Sequence, residues 1–233
     1  LGNIELRLPL ISGAVILYIA GLVSLSLVRF DTAPKPLEPL HFTFERQIWQ
    51  KNRPLLETLI LFLPLTFITV GPYNQWQLYF QRGPEIKTGL ILVGINLAGM
   101  LGAFAFNWVA KLSWKTEQLF LAHVVALCLS VWLLIYSSYY LALVFMWLHV
   151  ALCASTEVLQ TKLLHEKITD DLRTTWVSVN NTLEALVTTV ALALNGFLAD
   201  HYGLALAWGV GALLGLVATV GWLWRSKLKD RMI

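Results

Sequence analysis

Apolar residues along this chain neither alternate with polar ones nor recur once per helical turn. They run on, almost unbroken, for about twenty residues at a time. A bilayer core about 30 Å thick is crossed by roughly 20 apolar residues of α-helix. Runs of that kind lie at about Leu8–Val28, Leu55–Phe80, Gly89–Ala110, Leu119–Tyr136, Tyr140–Gln160, Trp176–Ala199 and Leu204–Trp224. The pattern predicts an all-α, polytopic membrane protein of seven transmembrane helices. A β-barrel is set aside, because barrel strands alternate lipid-facing and lumen-facing residues over about ten positions.

Composition agrees with this reading. Hydrophobic residues make up 57% of the chain and charged residues 13%, against about a quarter charged in soluble domains. So few charges leave too little polar surface to face water, and the lipid bilayer becomes the expected partner. A net charge of +3 is too small to suggest nucleic acid. Cys128 and Cys153 both fall within apolar runs and read as small buried residues, not as a disulfide or metal pair. No pattern points to a metal or a cofactor. The chain starts at Leu1, which suggests a fragment or a processed product.

Lysine and arginine accumulate on the cytoplasmic side of membranes. Alternate connections hold fourteen of the seventeen basic residues, and the opposite set holds only Arg7, Arg82 and Lys87. This asymmetry predicts an external N-terminus and a cytoplasmic C-terminus in the plasma (inner) membrane. The longest connection contains Pro34, Pro36 and Pro39 and reads as a linker. Its later part, HFTFERQIWQKNR, suits either the inner membrane surface or a solvated loop. The expected organisation is a first helix over 1–29, a cytoplasmic linker over 30–53, a six-helix bundle over 54–226 and a tail over 227–233.

Several polar residues interrupt the apolar runs. Glu184 lies within about 6 Å of the middle of the sixth run at 1.5 Å per residue, the only acidic residue so deep. A carboxylate at a span centre costs about 2.5–3.5 kcal/mol, and each Leu or Val returns roughly 0.3–0.6. Asn180, Asn181 and Glu184 share one helical face, extended by Thr188. Such a face is expected to turn to the bundle interior or a wet cavity. Glu184 then either takes up and releases a proton or stays protonated and hydrogen-bonds a neighbouring helix. Pro64 and Gly71-Pro72 interrupt the second run, just before Tyr73, Asn74, Gln75, Trp76 and Gln77. Unwound polar backbone at that depth would line a cavity, with Asn74 and Gln77 on it. Trp76 and Tyr79 read as an aromatic belt at the outer interface. His149, midway along the fifth run, either titrates or hydrogen-bonds across helices. Glu57 and Glu157 read as solvated residues near cytoplasmic span ends. Gly211-x-x-x-Gly215 and Ala98-x-x-x-Gly102 would permit close helix approach.

Together these features resemble the major facilitator superfamily of secondary transporters. In that family two six-helix halves are joined by a long cytoplasmic loop. The stretch DDLRTTWVSVNNTLEALVTTVALALNGFLADHYG, closing on Gly196, Asp200 and Gly203, is similar to the family's penultimate helix. Trp76-Gln77-Leu78-Tyr79-Phe80 resembles the outer end of its seventh helix. Gly102 to Asn107, with Lys111 and Lys115, falls where a short loop motif recurs, although Asn107 stands in place of the usual acid. The resemblance implies a sixth helix plus the C-terminal half of a transporter, the N-terminal helix bundle being absent from this sequence. It further implies alternating access around a site near the midplane. A small-molecule solute would touch Tyr73, Asn74, Gln77, Asn180 and Asn181, and Glu184 and His149 would couple its movement to protons.

Rival functions fit less well. His165-Glu166-Lys167-Ile168-Thr169 lacks the second His of a zinc-protease helix and is placed in a loop. No Gly-x-Ser-x-Gly or phosphate-cradling loop suggests an enzyme. A seven-helix receptor matches the count and orientation, but no Lys between Trp176 and Trp224 would hold retinal. A non-transporting, truncated membrane protein is the remaining alternative.

Overall fold

A computed structural model describes residues 19, 52–81, 88–111, 114, 116–168 and 173–230. The first predicted span and nearly all of the linker lie outside the described residues. All of the described residues except Ile19 belong to the compact unit Arg46–Ile233. That unit is all-helical among the described residues: α1 Arg53–Phe62, α2 Leu65–Phe80, α3 Thr88–Val109, α4 Thr116–Tyr136, α5 Tyr139–Lys167, α6 Arg173–Tyr202 and α7 Leu204–Asp230. Helix is the form that satisfies every backbone N–H and C=O within one segment, which lipid requires.

Among the described residues five helices are long and apolar enough to cross a membrane. With the bent pair α1–α2 counted as one span there are six. The architecture is that of a membrane-embedded, polytopic helical protein. Its outward surface is correspondingly apolar. Leu97, Leu101, Phe104 and Trp108 of α3 are all exposed, as suits a face covered by acyl chains rather than water.

The predicted interruption of the second span occurs at one of its two sites. α1 and α2 meet at Leu63–Pro64 with a bend of 41°, where the proline ring cannot continue the hydrogen-bond ladder. At Gly71-Pro72 the helix does not unwind, contrary to expectation, and Tyr73–Gln77 remain helical. A Cβ on Gly71 would lie 2.6 Å from Asn195 Nδ2 and from Trp208 Cδ1, so this turn is seated against neighbouring helices. Such packing lets a membrane helix carry an internal proline.

Two further expectations are corrected. Trp76 and Phe80 are buried, and Tyr79 lies 4.9 Å from the Trp208 ring. Their aromatic surface fills the bundle interior instead of forming a belt. His165–Lys167, placed in a loop by the sequence, close α5, which runs 29 residues to Lys167. Lys167 Nζ donates to Thr58 Oγ1 on α1 at 2.6 Å.

α5 packs between α3 and α4, and α7 packs against α2, α4 and α6. The small residues act as the spacing predicted. A Cβ on Gly102 would meet Ala151 Cα of α5 at 2.5 Å, and Cβ atoms on Gly211 and Gly215 would meet Phe67 O and Pro64 O at 2.5 and 2.7 Å. On α4, Phe120, Val124, Leu127, Val131 and Leu134 are fully buried. Cys128 and Cys153 are free and buried, as expected.

Candidate functional site

α6 carries its acid inward. Glu184 Oε1 accepts a hydrogen bond from Asn180 Nδ2, one turn back, at 3.1 Å. The same oxygen accepts a short hydrogen bond from Gln160 Nε2 of α5. The spacing of four residues puts Asn180 and Glu184 on one face, and packing of α6 against the bundle turns that face to α5. Asn180 is buried, yet its Oδ1 has no hydrogen-bond partner. Asn181, one position further round the helix, is exposed.

Beside this cluster is a cavity of about 260 Å³, just below the range of about 300–1,000 Å³ usual for drug-sized ligands. α6 contributes Glu184 and Thr188, and α5 contributes Cys153, Thr156, Glu157 and Gln160. The bent span contributes Phe62, Thr66, Thr69, Tyr73 and Asn74. Asn74 Nδ2 is committed to Val70 O at 2.8 Å, and the Thr156 hydroxyl to Leu152 O at 2.8 Å. Among the described residues no Lys, Arg or His lines the space. Among the described residues no three His, Cys, Asp or Glu side chains are placed to hold a metal ion.

Of the candidate residues, Tyr73, Asn74 and Glu184 line one cavity, and Asn180 bonds to its acid. Gln77, one turn beyond Asn74, is exposed and outside the lining, as is Asn181. His149 is fully buried and apart from this cavity's lining. Its Nδ1 lies 2.8 Å from Ser130 Oγ on α4, which in turn donates to Leu127 O at 2.7 Å. Since the single hydroxyl proton goes to the carbonyl, Nδ1–H is the donor to Ser130. Nε2 is then the bare nitrogen, in keeping with its lack of a partner. Replacing Ser130 with Ala would strip the ring of this cross-helix bond. A loss of about 1 kcal/mol is expected, given the typical worth of interhelical hydrogen bonds in membranes, and would appear as a lower melting midpoint of the detergent-solubilised protein.

Glu157 is a lining residue that sequence reading passed over as a solvated span end. It lies close enough to Glu184 for the two carboxyls to interact electrostatically. A signal for it existed: Cys153, Thr156, Glu157 and Gln160 recur at i, i+3, i+4 and i+7, the spacing of one helical face. Glu57, by contrast, sits at the expected end position and pairs with Arg53 at 3.0 Å. Gln75 was also unassigned, and its Oε1 accepts from Trp208 Nε1 at 2.9 Å, tying α2 to α7. Compared with known protein families, with curated proteins and with solved structures, the chain finds no match.

Proposed function

We propose that this chain forms one wall of the solute pathway in a secondary active transporter. It would move a small organic solute by alternating access, with Glu184 as the proton-coupling acid. The observation that carries the reading is the cavity itself, which gathers carboxyls, amides and hydroxyls from three separate apolar spans. Polar groups inside spans are costly and mark pathways for solutes, ions or protons.

A second helix bundle, completing the site, is part of this proposal. α6 supports it, with only 11% of its span window buried against 50% for α4. Its exposed face carries Ser178 and Asn181, groups better covered by protein or water than by lipid. In this reading the chain has seven spans in the plasma membrane, N-terminus outside and C-terminus in the cytoplasm, as the Lys and Arg asymmetry suggests. His149 then serves helix packing rather than proton transfer.

The test is uptake by the complete protein in proteoliposomes, across a panel of small solutes, with and without a pH gradient. Saturable uptake of one solute class, accelerated by the gradient, is the expected result. A panel that yields no saturable uptake under either condition would reject transport.

A further inference from the structure

We infer that the ligand of this cavity is an organic cation, a primary ammonium on a compact apolar body. The inference rests on the solute-pathway reading above and adds the charge of the solute. Among the described residues the lining holds two carboxyls, Glu157 and Glu184, and no basic side chain. Two carboxyls facing one space repel when both are ionised, and a positive guest between them offsets that repulsion.

The hydrogen-bond inventory points the same way. The Thr156 hydroxyl and one Asn74 amide proton are committed to their own helix, and one Gln160 amide proton goes to Glu184. The lining hydroxyls of Thr66, Thr69, Tyr73 and Thr188 can accept as well as donate, so an ammonium, with three donors and no acceptor, finds partners beyond the two carboxyls. Phe62 and Tyr73 bring aromatic surface to the wall, suited to a hydrocarbon body. A bare metal ion fits poorly, since the rest of the wall includes Leu65, Val70 and Leu127.

The test compares phenylethylammonium with 2-phenylethanol, which has a similar outline and no charge. Binding to the complete protein in nanodiscs is measured by calorimetry, with empty nanodiscs subtracting partition into lipid. The ammonium is expected to bind at least about tenfold more tightly, as charge-assisted hydrogen bonds to a carboxylate allow. Glu157→Gln should abolish that preference and Glu157→Asp should retain it. Equal affinities, tighter binding of the alcohol, or no binding of either probe would overturn the inference, and the wild-type comparison alone decides this. Uptake separates the two readings. An ammonium that binds with the predicted preference while no solute is carried leaves the cation site standing and removes transport. A carried neutral solute with no ammonium preference does the reverse.

Discussion

Proteoliposomes carrying Glu184→Gln are expected to lose the response of uptake to a pH gradient while the protein still folds and inserts. The carboxyl oxygen accepts from Gln160 and Asn180. A glutamine carbonyl in the same place accepts both bonds, so the α5–α6 contact has a ready substitute. What the amide lacks is a group that can take up and release a proton. The folded state can therefore survive a substitution that removes the chemistry. The measurement is the ratio of initial uptake rates with and without the gradient, at matched amounts of inserted protein. A ratio as large in the variant as in the wild type would remove Glu184 from coupling.

Gly102→Leu is expected to be the most damaging single change to the bundle itself. At this position even a methyl carbon would collide with the Ala151 backbone, whose Cα would be 2.5 Å away. Backbone cannot rotate aside as a side chain can, so α3 must separate from α5 along their shared contact. Overpacking in a close-packed interior costs about 1–3 kcal/mol where side chains can adjust; here about 3 kcal/mol or more is expected. Gly99, three residues earlier, is the control. A Cβ there would meet only Val150 Cγ1, at 3.7 Å, so Gly99→Ala should be nearly neutral. Thermal midpoints of the two purified variants, with size-exclusion profiles, check the pair. A Gly102→Leu protein as stable as wild type would mean that α3 and α5 are not in that contact.

The sequence made the described spans legible because lipid imposes a length and a polarity on every one of them. Predicted and observed limits differ at Thr88–Val109 and Leu204–Asp230 chiefly in where the polar ends begin. It also exposed Glu184, since a carboxyl deep in an apolar run has few places to go. Glu157 was harder to recognise. The predicted fifth span ended at Gln160, which made Glu157 look terminal, whereas α5 continues two more turns to Lys167. A hydropathy window averages residues along one helix and carries no information about what another helix brings beside them. Glu157 belongs to the site because α6 delivers Glu184 to it, a tertiary fact. The same limit explains Pro72. Its ring predicts a break from local chemistry, and the seat made by Asn195 and Trp208 overrides it.

The bend at Pro64 has its own consequence for the cavity. Phe62 belongs to the arm before this elbow, and Leu65, Thr66 and Thr69 to the arm after it, yet all four border the same space. Its inner corner rests on Gly215 of α7, where a Cβ would meet Pro64 O at 2.7 Å. Meanwhile Leu55 and Leu59 of the first arm are anchored beside Leu164 and Trp176. Opening or closing the angle by a few degrees would thus swing Phe62 relative to the threonines and change the width of the chamber directly. The joint and the chamber share their walls, and the glycine gives the elbow its close seat on α7.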